Sequence, residues 1–110
     1  MSKLAINIYE SLKKLFPYYN ISTEYYIKYK GHRLFFDFFI KELNILIEVQ
    51  GRQHDEFVKH FHEDRDGFLR SKKRDNLKKE YCQSNNLVLV EIREEMIADE
   101  LLNEIQKGIN

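Results

Sequence analysis

The sequence has no tryptophan, a single proline, four glycines and a single cysteine. With Cys82 alone no internal disulfide can form, and a reducing cytosol is the compartment such a composition suits. So little Gly and Pro, and no low-complexity tract, leave no room for an interdomain linker. No apolar run approaches the roughly 20 residues that a membrane helix needs, and the N-terminus lacks the charged-then-apolar pattern of a secretory signal. Net charge is zero, which argues against a protein that coats nucleic acid through bulk charge. No internal repeat is visible.

What remains is a chain of 110 residues, 43% hydrophobic, with eight Phe and seven Tyr. That length is one domain, residues 1–110, and the large side chains suffice for a core without staples. The charge is segregated. Residues 68–79, "FLRSKKRDNLKK", hold six Lys/Arg against one Asp, while 91–104, "EIREEMIADELLNE", hold six Asp/Glu against one Arg. The basic run reads either as a solvated helix face or as a local anion-binding surface on a neutral body.

Apolar residues Leu4, Ile8, Leu12, Leu15 and Phe16 recur at helical spacing after Ser2, and Pro17 closes that segment. Aromatic and β-branched residues from Thr23 to Tyr29 predict a strand, "KGH" a turn, and "RLFFDFFI" (33–40) a second strand in a hairpin with the first. "ILIEVQ" (45–50) predicts a third strand. These last two are apolar on both faces, the pattern of central strands covered on both sides. Residues 56–85 are polar with apolar residues at helical spacing. Gly67 leaves open whether they form one long helix or a loop leading into a helix near 70–85. "LVLVEI" (87–92) predicts a fourth strand and 94–107 a terminal helix. The order α-β-β-β-α-β-α implies an α/β (α+β) fold, a mixed four-stranded sheet flanked by helices.

Within this core, "FDFFIKELNILIEVQGRQH" (36–54) places Asp37 in an aromatic run and Glu48 in an aliphatic one. Side chains two apart share a face, so Asp37 is expected beside Phe35 and Phe39, and Glu48 beside Leu46 and Gln50. A four-residue turn between adjacent antiparallel strands brings the two carboxylates within reach of each other. Desolvated side by side they repel, and one proton is normally retained. A hard divalent cation removes that penalty and can activate water against a phosphodiester. The competing reading pairs one carboxylate with a buried cation, Arg33 or Lys78.

"F-D-F-x-I … I-E-V-Q-G-x-Q-H" resembles the Asp…Glu-x-Lys core of the PD-(D/E)xK nuclease superfamily. Together with "RDNLKKEYCQSNNLVLVEI" (74–92), it is most similar to small relatives of the very-short-patch-repair endonucleases. The resemblance implies a restriction-endonuclease-like αβββαβ core and a metal-dependent DNA endonuclease that either nicks or, as a homodimer, cuts both strands. It implies Mg²⁺ or Mn²⁺ held by Asp37, Glu48 and the backbone carbonyl of Val49, with Glu10 on the inner side of the first helix as accessory acid. Gln50 stands where the motif has its lysine and brings neither positive charge nor a proton acceptor. His54 is then the candidate base, and Lys78 or Lys79, reaching in from the crossover helix, the candidate charge. Arg52, Lys59, Arg70, Lys72, Lys73 and Arg74, with Lys78 and Lys79, are placed to meet phosphates without reading sequence.

Other signals are weaker. His54, His60 and His62 lack a fourth ligand at zinc spacing, and "DRDG" (64–67) lacks the remaining ligands of a calcium loop. The Tyr/Phe-rich first hairpin reads as core, with base stacking as its rival. The expected partner is DNA, in the cytoplasm of a prokaryotic or phage-infected cell, with no membrane and no small-molecule cofactor. The rival functions are a Holliday-junction resolvase of the same fold and an inactive nuclease fold kept for nucleic-acid binding or regulation.

Overall fold

A computed structural model describes residues 2–50, 65–93 and 98–109. Its elements are α1 (Lys3–Leu15), β1 (Ile21–Tyr29), β2 (His32–Ile40), β3 (Ile45–Gln50), α2 (Arg65–Ser84), β4 (Val88–Arg93) and α3 (Ala98–Ile109), with a 3-10 turn at Lys41–Leu43. The fold is α+β. One sheet runs in the order β1-β2-β3-β4, antiparallel through β3 and parallel between β3 and β4.

Local chemistry accounts for the elements. The Ser2 hydroxyl caps α1 by accepting from the Ala5 N–H at 3.1 Å, and Ala5, Ile8 and Leu12 form its buried stripe. The β1–β2 hairpin turns through Lys30 (φ 50°) and Gly31 (φ 78°), the two positive dihedrals of a two-residue hairpin loop. The helix α2 runs unbroken through Gly67, so that glycine does not end it, and the rest of the 56–85 expectation, residues 56–64, lies outside the described residues. Gly108 lets α3 lie close on β4, since a β-carbon there would meet Val88 Cγ1 at 2.8 Å.

Two apolar cores lie on opposite faces of the sheet. Helices α1 and α3 cover one, built on Phe38, Ile40, Ile45, Ile47, Val90 and Ile92. Helix α2 covers the other with Leu77 and Cys82 over Leu34, Phe36 and Leu46. Phe36 and Phe38 are two apart on one strand yet belong to different cores. Strand alternation therefore slips by one residue at Asp37. Across from it on β1, Glu24 has φ 49°, and Ile21 packs in the first core while Tyr25, Ile27 and Tyr29 pack in the second. Both strands slip at the same rung, so the pairing offset stays constant from Ile21↔Ile40 to Tyr29↔His32. The expectation that Asp37 shares a face with both Phe35 and Phe39 is corrected by this slip: Phe39 packs toward α2, whereas Phe35 is 55% exposed.

Candidate active site

The slip decides where Asp37 points. Paired rungs between β2 and β3 run from Ile40↔Ile45 to Phe38↔Ile47. At the next donor on β3, the Val49 N–H donates to Asp37 Oδ2 at 2.7 Å. Strand N–H groups point along the sheet toward the neighbouring strand. The carboxylate thus takes a ladder position in the plane of the sheet instead of entering either core. An aspartate is tolerated inside "FFDFF" because it completes a backbone hydrogen bond that the parting strands leave open.

Glu48 lies one residue along β3, on the α2 side with Leu46. Lys78 reaches down from α2 and donates to Glu48 Oε1 at 2.7 Å, the ion pair that the competing, structural reading of the sequence expects. Both side chains are largely buried, at 18% exposure for Lys78 and 17% for Glu48. The Lys78 ammonium also lies 5.3 Å from the centroid of Phe36, a cation–π contact that partly replaces lost hydration. Burial pushes the Glu48 carboxyl up to about 7, against the hydrogen bond and charge of Lys78, which pull it down; the charges of Asp37 and Asp75 raise it further. Near neutrality the group is close to half protonated.

Asp75 was not singled out by sequence reasoning. It lies one turn before Lys78 on α2, exposed, and its charge reaches Glu48. The spacing of three residues from Lys78 is the signal that places both on one helix face. Cys82 is buried on the same side, and burial first, then the Glu48 charge, raises its thiol to about 11. Such a thiol is no nucleophile at neutral pH.

Several expected site residues fall elsewhere. Glu10 is exposed on α1, and α1 covers the face opposite Glu48. The expectation of an inner-side accessory acid is corrected: with Ala5, Ile8 and Leu12 facing the sheet, helical rotation turns position 10 outward. Lys79 is exposed and lines an open groove of about 790 Å³ with Glu91, Glu104 and Lys107, and its charge is not among those that act on Glu48. Of the two candidate lysines, only Lys78 supplies charge at the carboxylates, and being paired and mostly buried it is a poor member of the outer phosphate surface. Arg70, Lys72, Lys73 and Arg74 are exposed on α2, Arg74 bonding Ser71 Oγ at 3.3 Å and Lys72 lying over Phe68. Gln50 pairs with Arg93 at the end of β3, and its side chain lies outside the description. Arg52, His54 and Lys59 lie outside the described residues.

Among the described residues no group of three or more His, Cys, Asp or Glu side chains forms a metal cluster. Asp37 and Glu48 carry hard oxygen donors of the kind Mg²⁺ or Mn²⁺ takes, the charge of Asp37 is felt at Glu48, and Asp37 Oδ1 and Glu48 Oε2 stand outside the two hydrogen bonds above. The donor chemistry fits such an ion, with Val49 tied to Asp37 through its N–H.

Comparison with known proteins gives two viral relatives. "Uncharacterized protein 307L" of Invertebrate iridescent virus 6 is 36% identical over 56 residues, which is 51% of this chain and 28% of that protein. "Uncharacterized protein 033L" of Invertebrate iridescent virus 3 is 32% identical over 62 residues, 56% of this chain and 32% of that protein. This chain matches about a third or less of the length of each. No family model matches, and no solved structure does. Among the described residues no helix is long and apolar enough to cross a membrane.

Proposed function

We propose that this chain is a metal-dependent DNA endonuclease of the PD-(D/E)xK type, hydrolysing phosphodiesters at the Asp37–Glu48 pair. The observation that supports it best is Lys78, whose ammonium is 2.7 Å from Glu48. The lysine that Gln50 displaces from β3 is replaced by one arriving from α2. A bound Mg²⁺ or Mn²⁺, held by Asp37, Glu48 and the Val49 carbonyl, would lower the pKa of a water and neutralise charge on the phosphate. Lys78 offers the developing phosphorane a fixed positive charge in a partly desolvated site, where such charge is most effective. Asp37, fixed by the Val49 N–H, keeps its remaining oxygen aimed without rotamer search. Arg70, Lys72, Lys73 and Arg74, exposed along the first half of α2, hold the backbone of the DNA.

The same ion pair supports a second reading. If Lys78 only neutralises Glu48, the fold is a nucleic-acid-binding module without chemistry. Supercoiled plasmid incubated with Mg²⁺ or Mn²⁺, against a chelated control, separates the two. Nicked circles are expected from a monomer, and linear product if two copies act together. Plasmid left intact with every divalent metal tried excludes the enzyme.

A further inference from the structure

Beyond the slip at Asp37, the β1–β2 hairpin buries Tyr25, Ile27, Leu34 and Phe36 toward α2. Its opposite face carries two exposed cross-strand rungs, Tyr26↔Phe35 and Lys28↔Arg33. The two rings lie 5.1 Å apart, 47% and 55% exposed. A cross-strand aromatic pair is ordinary hairpin chemistry, worth about 0.2–1 kcal/mol. The second rung is not. Two cations directly opposite each other destabilise a hairpin, and neither rung holds an acidic residue to offset them. Folding alone does not explain an exposed aromatic rung next to a like-charged one.

We propose that this face is a platform for an unpaired stretch of nucleic acid, its bases stacking on Tyr26 and Phe35 and its phosphates meeting Lys28 and Arg33. Aromatic rings paired with cations are the recurring parts of single-strand binding surfaces, since every base offers a π face. The rungs are two residues apart, about 6.5–7 Å, the scale of one nucleotide of an extended strand. Phe35 is also two residues from Asp37 along β2, but on the face of the sheet opposite Glu48 and Lys78, so the platform holds a strand without itself placing it at the carboxylates. The inference rests on the endonuclease reading for its substrate and deepens it: the substrate is DNA with an unpaired segment.

The test is binding without divalent metal, so that it stands apart from cleavage. Anisotropy of a labelled oligothymidine is compared with that of a duplex of equal phosphate count. Wild-type protein is expected to favour the unpaired strand, and Tyr26→Ser or Phe35→Ser to weaken it about 5- to 100-fold with the duplex unaffected. Tyr26→Phe and Phe35→Tyr keep a ring and should retain affinity. Lys28→Ser with Arg33→Ser should reduce the salt slope by about 1.4, two single-strand phosphate contacts. Unchanged affinity in folded ring-less variants, or no wild-type preference for the unpaired strand, overturns the platform whether or not plasmid is cut. So does a wild-type dimer that the ring removals convert to monomer, since the occupant would then be a second copy.

Discussion

Asp37→Asn is expected to lower cleavage by on the order of 10³ or more, the scale of several kcal/mol of charge stabilisation lost with a cation ligand, while leaving the protein folded. The structure separates the two effects. An asparagine side-chain oxygen can still accept the Val49 N–H that Asp37 accepts at 2.7 Å, so the ladder position stays filled. Removing one negative charge also lessens the repulsion that helps raise Glu48. Asp37→Ala is the contrasting variant. It leaves the Val49 N–H without its acceptor and should cost about 1–3 kcal/mol of stability in addition to the activity. Denaturant unfolding of both variants beside a nicking assay reads the difference. An Asn variant that cuts at the wild-type rate removes Asp37 from the chemistry.

Lys78→Met should lower cleavage about 10²- to 10³-fold, the usual cost of one preorganised electrostatic contact. It should also move the acid limb of the pH–rate profile upward. Lys78 is the group that holds the Glu48 carboxyl down against burial. Without it, the pKa rises above about 7, and ionised Glu48 becomes available only at higher pH. Stability follows the same group. A carboxyl raised in the fold binds a proton that the unfolded chain has released, so its contribution is fully present below the unfolded value. It declines as pH rises through about 7, at about 1.4 kcal/mol per unit. In Lys78→Met this decline should extend to higher pH, and the variant should be nearest to wild type in mildly acid buffer, where Glu48 is protonated. Breaking a buried pair costs about 3–5 kcal/mol when the orphaned charge persists, and protonation spares most of that. An unshifted acid limb would show that Glu48 is not the titrating ligand.

The element order was legible because periodicity, a proline stop and short turns each marked it. Strands β2 and β3 ended within a residue of expectation, and both are central. Of the candidate site, the sequence offers the residue types, Asp37, Glu48 and Lys78, and little of their geometry. "FFDFF" has phenylalanine on both sides of Asp37, so apolar alternation carries no phase there and the slip leaves no trace in the pattern. Glu24 adopts a positive φ without being Gly or Asn, so turn chemistry did not announce it either. Lys78 and Lys79 are neighbours with identical chemistry, and only the angle at which α2 meets the sheet chooses between them. Glu10 was misplaced for a similar reason: the buried stripe of α1 centres on Ile8 and Leu12, and two residues of helical rotation put position 10 outside it.

Phe36 and Phe38, because of the slip, belong to different histories. Phe36 must suit Tyr81 and Leu77 of α2, and Phe38 must suit Tyr9 of α1. Truncations at sites without shared partners add independently, and so does drift. Substitutions can therefore reshape α2, the helix that carries Lys78, by adjusting one half of the hairpin with it. The α1–α3 side, which anchors β3 and with it Glu48, need not change at all.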